Sequence, residues 1–305
     1  MELEQRLREV LDREDLITKE ELKYHTTFRV GGPARFFATP KTESELQKIV
    51  TICRETDTPW FVLGRGSNLL VSDDGFDGVI IHMQKHWNHC HTEGTYIFAE
   101  AGVMMSAVAQ EALRSHLTGL EFASGIPGTV GGGLRMNAGA YGGEMKQVVV
   151  SARVLDGDGS VLELSKEELE MGYRTSIVGK NGYIVLSCIM ELQPGDPNLI
   201  RSTMDEMNAK RREKQPLEYG SAGSTFKRPE GYFAGKLIQD AGLKGFRIGD
   251  AQVSEKHAGF VINRGNATAS DIMRLCKEVS NRVQTQFGVT LEMEVRRLGK
   301  FEEKK

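Results

Sequence analysis

Residues 125–143 form the stretch with the clearest chemical character, GIPGTVGGGLRMNAGAYGG. Eight of its nineteen residues are glycine, so the backbone N–H groups can approach a ligand closely and adopt positive φ. Successive amides of this kind form concave nests that bind anions, chiefly phosphates. Interleaved apolar residues favour an ordered loop over a mobile linker. The stretch therefore predicts an anion cradle, and small residues around Asn137 leave space for a flat ring system.

A shorter glycine loop, residues 64–68 (GRGSN), follows a predicted strand over residues 60–64. It comes earlier in the chain and is called the first glycine loop below, and residues 125–143 are called the second. Its glycines alternate and expose amides, while Arg65, Ser67 and Asn68 add charge and neutral donors suited to a pyrophosphate. Taken alone, GRGSN is equally typical of an ordinary tight turn. No GxGxxG follows a predicted strand and no GxxxxGK[ST] occurs, so the sequence argues against a Rossmann domain and excludes a P-loop.

Three further residues have side chains suited to catalysis. Arg174, in GYRTS, could hold a carboxylate or a developing oxyanion, or could simply pair with surface glutamates. Ser224, in GSAGSTFKRP, lacks a nucleophile elbow, so the general-acid role suits it better than the nucleophilic one. Glu294, in VTLEMEV, shares a strand face with Glu292; such carboxylates usually face solvent, but one in a cleft would have a raised pKa and could transfer protons.

A histidine-rich segment between predicted strands could suggest a metal site. It has no close carboxylates and no helix-face or CxxC spacing, so solvated hairpin residues are the favoured interpretation and no metal is expected. The residues concerned are His82, His86, His89, Cys90 and His91.

The elements that would position these residues alternate between strands and helices. Apolar spacing predicts an opening helix, a helix capped by Thr42, a hairpin turning at residues 156–159 and a C-terminal helix closed near Gly288. Further predictions are strand–turn–strand over residues 24–37, a short helix capped by Ser165, Ser270 as the cap of that long C-terminal helix, and strands over residues 183–192, 257–263 and 289–295. A Pro-Gly-Asp-Pro break at residues 194–197 marks a domain boundary.

Net charge, cysteine distribution and the first fifteen residues limit the classes of protein to which the chain can belong. The net charge of −3 predicts no general affinity for nucleic acid or membrane. Four dispersed cysteines without a CxxC pair fit reduced thiols, and residues 1–15 lack the apolar core of a signal peptide. We therefore expect a cytoplasmic protein.

The two glycine loops together resemble the flavin-binding domain of the vanillyl-alcohol oxidase superfamily. This resemblance implies an α+β fold: a two-lobed FAD-binding domain of the PCMH type over residues 1–200 (lobes about 1–72 and 73–200) and a smaller substrate-binding domain over residues 201–305. Covalent members often carry a histidine in the first loop, and GRGSN has none, so non-covalent FAD is implied. The implied cofactor-binding residues are Gly64, Arg65, Gly66, Ser67, Asn68, Gly125, Ile126, Pro127, Gly128, Thr129, Gly131, Gly132, Asn137 and Gly139.

Longer motifs sharpen the resemblance to the UDP-N-acetylenolpyruvoylglucosamine reductase family of peptidoglycan synthesis. They are HTTFRVGGPA, GRGSNLLV, SGIPGTVGG, MNAGAYGGE, YRTS, AGSTFKRP, HAGFVIN and LEMEV, spread over about residues 24–298. The resemblance implies that NADPH reduces FAD, which then reduces UDP-N-acetylglucosamine enolpyruvate. It places the catalytic arginine at Arg174, the proton-donating serine at Ser224 and the catalytic glutamate at Glu294, with Lys214 and Lys227 near the substrate.

Some positions depart from the family pattern. Sixty-nine residues lie between Ser224 and Glu294, which indicates the family's compact form. Arg228 stands where the long form has asparagine, and Arg135 receives no role. Two other functions stay open: a flavin oxidase or dehydrogenase acting on a small alcohol or acid, and a nucleotide-binding protein without chemistry. Arg174, Ser224 and Glu294 together disfavour the second.

Overall fold

The computed structural model describes residues 2–301. Its helices are α1 Leu3–Arg8, α2 Glu43–Glu55, α3 Met105–Arg114, α4 Val130–Met136, α5 Met145–Val148, α6 Ile177–Asn181, α7 Pro197–Lys214, α8 Ala234–Asp240 and α9 Ala269–Phe287. Within residues 2–301, no helix combines the length and the apolar run needed to cross a membrane.

The strands are mostly short. They are β1 Leu16–Glu21, β2 Pro33–Ala38, β3 Trp60–Leu63, β4 Leu69–Val71, β5 Phe76–His82, β6 Cys90–Glu93, β7 Tyr96–Glu100, β8 Leu117–Thr118, β9 Gly139–Ala140, β10 Gly143–Glu144, β11 Val149–Leu155, β12 Val161–Ser165, β13 Ile184–Glu191, β14 Gln193–Pro194, β15 Arg247–Ile248, β16 Ala251–Val253, β17 Val261–Asn263 and β18 Arg296–Leu298.

The chain divides into two compact units. The first contains the residues up to 17, 36–65 and 78–211, and the second contains 18–35, 66–77 and the residues from 212 onward. The boundary predicted at residue 200 lies within α7, whose Ile200 and Met204 are buried in the core of the first unit. Met1 and residues 302–305, which the predicted domains include, lie outside the described residues.

The first unit has two hydrophobic cores. One lies beneath the antiparallel sheet β12-β11-β13-β7-β6, against which α3 and α4 pack. The other is formed by α1, α2 and the sheet with strand order β1-β2-β5-β3, in which β3 and β5 run parallel. The predicted opening helix and the helix capped by Thr42 are confirmed, since the Thr42 hydroxyl accepts a hydrogen bond from the Glu45 N–H at 3.2 Å.

In the second unit, α9 packs against the antiparallel sheet β15-β16-β17, and α8 packs against α9. Two segments from earlier in the chain complete it: Phe28 and Leu70 are fully buried in its core, and β4 pairs in parallel with β18. Because these segments bury their apolar side chains among C-terminal residues, the second unit is not one continuous stretch of the sequence.

Four secondary-structure predictions are wrong. The first strand predicted over residues 24–37 is absent and only the second, β2, is present, because a 3-10 helix over Leu22–His25 is followed by Arg29 in the left-handed region, at φ 59°. Ser165 and Glu168 exchange hydrogen bonds as a cap would, at 2.8 and 3.3 Å, but the chain turns at once and Glu170 has φ 44°. Thr268, not Ser270, caps α9, and its hydroxyl accepts from the Asp271 N–H at 3.0 Å.

The fourth wrong prediction is the strand over residues 289–295, in the segment that carries Glu294. There the backbone forms only an isolated bridge between Met293 and Phe226, and the regular strand, β18, begins at Arg296. The predicted strand over residues 257–263 is likewise shorter, because only Val261–Asn263 pairs with β16.

Candidate active site

The second glycine loop leads directly into α4 in the first unit. Thr129 caps this helix, with its hydroxyl 3.5 Å from the Gly132 N–H, and it is only 2% exposed. The helix ends at Asn137, which has φ 44°. Beyond it, β9 and β10 form a short hairpin whose tip contains Tyr141 and Gly142. The loop is therefore an ordered segment, as its interleaved apolar residues predicted.

The two glycine loops meet at Gly64 and Thr129. A Cβ built on Gly64 would lie 2.3 Å from the Thr129 hydroxyl oxygen, closer than real Cβ contacts allow. Glycine at position 64 is therefore required by the approach of the second loop. The sequence suggested that the loops act together, and the structure brings them into contact.

The rest of the first loop, residues 66–68, belongs to the second unit. Gly66 has φ 62°, and a Cβ on it would lie 2.1 Å from the carbonyl oxygen of His25. Within residues 2–301, the N–H groups of Gly66 and Ser67 donate to no protein acceptor. A left-handed residue with unused amides beside it is the backbone arrangement of an anion nest.

This backbone fits a phosphate-containing cofactor such as FAD. In the second unit, the unused amides of Gly66 and Ser67 suit a pyrophosphate. Other predicted cofactor residues have a packing role: a Cβ on Gly131 would lie 3.1 Å from Ala101 Cβ, and one on Gly139 would lie 2.6 Å from the Gly143 carbonyl oxygen. That these residues contact FAD remains a prediction.

Arg174 lies in a tight turn of the first unit. Gly172 and Thr175 close the turn with reciprocal backbone hydrogen bonds of 3.0 and 3.2 Å. Arg174 has φ 54°, and its guanidinium carbon is 5.5 Å from the centre of the Tyr173 ring. The side chain is half-buried, so the turn presents a cation that still reaches solvent.

Ser224 and Glu294 lie on two paired segments of the second unit. The Glu294 N–H donates to the Thr225 carbonyl at 2.8 Å, and the Lys227 N–H donates to the Glu292 carbonyl at 2.8 Å. Thr225 is fully buried, and its hydroxyl accepts from the Val261 N–H at 2.9 Å. This pairing brings the exposed Ser224 and the half-buried Glu294 together, although they are far apart in the chain.

The first loop also contacts the Glu294 segment. The side-chain amide of Asn68 donates to the backbone carbonyl of Glu294 at 3.2 Å, and the Arg296 N–H donates to the carbonyl of Asn68 at 3.1 Å. Asn68 thus holds the backbone on both sides of Val295, a contact that no local sequence pattern indicates.

The two predicted substrate lysines lie on exposed backbone of the second unit. Lys214 is the last residue of α7, and Lys227 forms an exposed ion pair with Glu292, at 2.9 Å between Nζ and Oε2. An exposed pair of this kind contributes little to stability, so Lys227 can exchange its partner for a ligand anion at small cost.

Arg211 is a further candidate site residue. The sequence does not single it out, because the charged residues 211–214 look like a solvated helix end. A Cβ on Gly125 would lie 3.1 Å from Arg211 Cδ, so this arginine packs on the second glycine loop. Burial lowers the pKa of Arg211, and the nearby Tyr141 partly opposes that shift. Its spacing from Ile200 and Met204 at helical period was the signal that could have placed it on the buried face of α7.

The histidine-rich segment forms no metal centre. In the described part of the chain, no group of three or more histidine, cysteine, aspartate or glutamate side chains is arranged to hold a metal ion. His86 instead lies 2.9 Å from Asp15, and the His91 ring stacks on Phe98 with 5.1 Å between ring centres.

Comparison with known proteins identifies the class and then the family. Residues 34–165 match the FAD binding domain family. With its two contacting glycine loops, the chain is an FAD-dependent oxidoreductase. Residues 215–298 match the UDP-N-acetylenolpyruvoylglucosamine reductase C-terminal domain, and the reductase of that name from Clostridium novyi is 50% identical over 303 residues, 99% of this chain and 98% of the relative. The chain belongs to the UDP-N-acetylenolpyruvoylglucosamine reductase family.

Other relatives agree with this assignment. The Clostridioides difficile reductase of the same name is 49% identical over 290 residues, 95% of each chain. The crystal structure of the Thermus caldophilus reductase is 37% identical, with a TM-score of 0.79 over 93% of this chain and 98% of that one. p-Cresol methylhydroxylase, at 15% identity and a TM-score of 0.51 over 95% of this chain and 65% of that one, shares the fold alone. The predicted α+β fold with an FAD-binding domain and a smaller C-terminal domain is confirmed.

Proposed function

We propose that Arg174, Ser224 and Glu294 carry out the reaction of this family on the enolpyruvyl group of the substrate. The chain reduces UDP-N-acetylglucosamine enolpyruvate to UDP-N-acetylmuramate, with NADPH as reductant, in the synthesis of peptidoglycan precursors. The observation that carries the proposal is the 2.8 Å hydrogen bond from the Glu294 N–H to the Thr225 carbonyl. It fixes the serine segment and the glutamate segment side by side in one unit.

When bound, FAD would supply the two-electron redox chemistry that links NADPH to the terminal vinyl carbon of the substrate. The residues proposed to hold it non-covalently are those of the two glycine loops. The N–H groups of Gly66 and Ser67 would bind phosphate oxygens, and the contact between Gly64 and Thr129 keeps the two loops in place.

Reduction of the vinyl carbon leaves negative charge on the substrate carboxylate as an enolate. The Arg174 guanidinium is the group proposed to hold that charge, by a bidentate, charge-assisted contact. The Ser224 hydroxyl donates its proton to the adjacent carbon, forming the C–H bond of the lactyl ether. Because Ser224 is exposed, it regains a proton from water. Glu294, on the neighbouring segment, is proposed to act with Arg174 in holding the enolate charge and its proton.

Substrate binding is assigned to charged side chains at the surface of the second unit. Lys214 and Lys227 are proposed to bind the diphosphate of the nucleotide sugar as point charges.

We further place the enzyme in the cytoplasm, because all four cysteines are free thiols, as expected in a reducing compartment.

The proposal is tested by separating the two half-reactions in Ser224→Ala. Anaerobic mixing with NADPH should bleach the flavin within about two-fold of the wild-type rate, because the serine takes no part in that step. Reoxidation by the enolpyruvyl substrate should slow by about 10²–10⁴-fold, the usual contribution of a general acid. Ser221→Ala, three residues away, is the matched control. An equal loss in both half-reactions would show that Ser224 is not the proton donor.

A further inference from the structure

We infer that Asn137 is a positioning residue that holds the turn carrying Arg174. Asn137 ends α4 in the left-handed conformation, at φ 44°, and is 1% exposed. Its side-chain oxygen accepts from the Lys146 N–H at 2.8 Å, and its side-chain nitrogen donates to Glu144 Oε2 at 3.0 Å and to the Gly172 carbonyl at 3.1 Å. Both amide donors are therefore engaged by protein groups.

The contact with Gly172 is the one that bears on the site. The same carbonyl accepts the Thr175 N–H at 3.2 Å and so closes the turn around Arg174. Arg174 has φ 54°, a conformation that non-glycine residues keep only when their surroundings enforce it. The Asn137 side chain donates to the same carbonyl oxygen that closes the turn. It thereby fixes the position of the backbone that carries Arg174.

A second set of contacts fixes the other end of the turn to the same helix. The fully buried Ser176 donates from its hydroxyl to the carbonyl of Arg135 at 2.9 Å. The Arg135 guanidinium lies 3.4 Å from the carbonyl oxygens of both Val178 and Gly179. Arg135, to which the sequence assigned no role, therefore links α4 to the segment after the turn.

The consequence is that α4 connects the glycine cradle to the Arg174 turn. The helix begins at Thr129, where the two glycine loops meet, and at its other end it holds both sides of the turn. The position of the arginine is thus set relative to the cofactor cradle by Asn137 and by the Ser176–Arg135 contact. This inference rests on the catalytic role proposed for Arg174.

The test uses Asn137→Gly in the full-length flavoprotein. Glycine accepts the left-handed backbone without strain, so the variant removes the amide alone. Reoxidation of the NADPH-reduced enzyme by UDP-N-acetylglucosamine enolpyruvate should slow by about ten- to a hundred-fold, the effect of a misplaced catalytic group. Flavin reduction by NADPH, measured at equal flavin content, reports any loss at the cofactor separately from this step. In an Arg174→Ala background, Asn137→Gly should cause no further loss, because both changes disable the same group.

A readout independent of turnover is hydrogen exchange in the protein without substrate. The Thr175 amide should exchange at least ten-fold faster in Asn137→Gly than in wild type, because its acceptor is no longer held. Asn181→Gly, which removes a surface amide bonded to the Tyr183 hydroxyl at 2.9 Å, should change neither exchange nor rates. If Asn137→Gly does not fold, Ser176→Ala takes its place with the same measurements.

Two results would overturn the inference. One is an unchanged exchange rate of the Thr175 amide in Asn137→Gly and in Ser176→Ala. The other is a loss of reoxidation rate in Asn137→Gly that adds in full to the loss in Arg174→Ala. Failure of the proposed function looks different, because Arg174→Ala alone would then reoxidise at the wild-type rate. In that case exchange at Thr175 still decides whether Asn137 holds the turn.

Discussion

Gly64 lies so close to Thr129 that a Cβ on the glycine would be 2.3 Å from the threonine hydroxyl oxygen. The contact joins the loop after β3 to the loop that precedes α4. Two segments about sixty residues apart in sequence are thereby fixed relative to each other.

Gly64→Ala should therefore weaken FAD binding. The added methyl group must push the two loops apart, and overpacking of this kind typically costs 1–3 kcal/mol. We expect the dissociation constant of FAD to rise by about ten-fold or more, measured by flavin fluorescence on reconstituting the apoprotein. Gly157→Ala is the control, because a Cβ on Gly157 meets no atom within 4 Å. Equal FAD affinity in the two variants would contradict this account of the cradle.

Asn68→Ala should slow reduction of the substrate. It removes the 3.2 Å hydrogen bond to the carbonyl of Glu294 and frees that segment to shift. A loss of about ten-fold in kcat is expected from such misplacement. Asn88→Ala, which removes an exposed amide near β6, should leave kcat unchanged. Lower flavin content with a normal rate of substrate reduction would instead make Asn68 a cofactor contact alone.

Asp15 should make the stability of the first unit sensitive to acid. Burial raises the pKa of this carboxyl, but hydrogen bonds from Lys41, Lys85, His86 and Thr39 outweigh it and hold the pKa well below the usual range. A lowered folded-state pKa contributes stability above the unfolded value of about 3.9, and that stability is lost as the pH falls further. Asp15→Asn should cost about 2 kcal/mol near neutrality, because it leaves the lysines without their buried anion.

The check is urea unfolding of wild type and Asp15→Asn between pH 7 and pH 3. The difference in unfolding free energy should be constant down to about pH 4 and shrink below it. A difference that grew as the pH fell would reverse the sign assigned to Asp15. Asp158→Asn, at an exposed aspartate of the hairpin turn, is the matched control.

Thr268→Ala should loosen the start of α9. The Thr268 hydroxyl accepts from the Asp271 N–H at 3.0 Å, and Asp271 accepts in return from the Thr268 N–H at 3.2 Å. Loss of such a cap costs about 1 kcal/mol, and hydrogen exchange in the first turn of the helix should rise accordingly. Thr268→Ser retains the hydroxyl and should match wild type. Full protection in Thr268→Ala would show that another residue caps the helix.

Local patterns were enough to predict elements whose stability is local. The cap at Thr42, the hairpin at residues 156–159 and the helix end at Gly288 all depend on neighbours within a few residues. The segment 289–295 shows the limit of that reasoning. Its alternating side chains predict a strand, but they do not say which segment pairs with it, and the structure gives it one bridge to Phe226.

The candidate site stands out in the sequence by its residue types, whereas the contacts between its residues do not. Glycine-rich loops, Arg174, Ser224 and Glu294 stand out as sequence motifs. The roles of Asn68 and Asn137 do not, because each depends on a carbonyl that folding brings close, that of Glu294 or of Gly172. Glycines are ambiguous in the same way, since Gly131 and Gly139 are explained by packing against protein atoms.

The most direct test of the central claim is an anaerobic absorbance measurement on the purified flavoprotein. One equivalent of NADPH should bleach the flavin, and mixing with UDP-N-acetylglucosamine enolpyruvate should restore its absorbance without oxygen. Restoration would establish both half-reactions in this chain. Flavin that stayed reduced with the sugar nucleotide and recovered only when air was admitted would contradict the assigned substrate and favour a flavin oxidase.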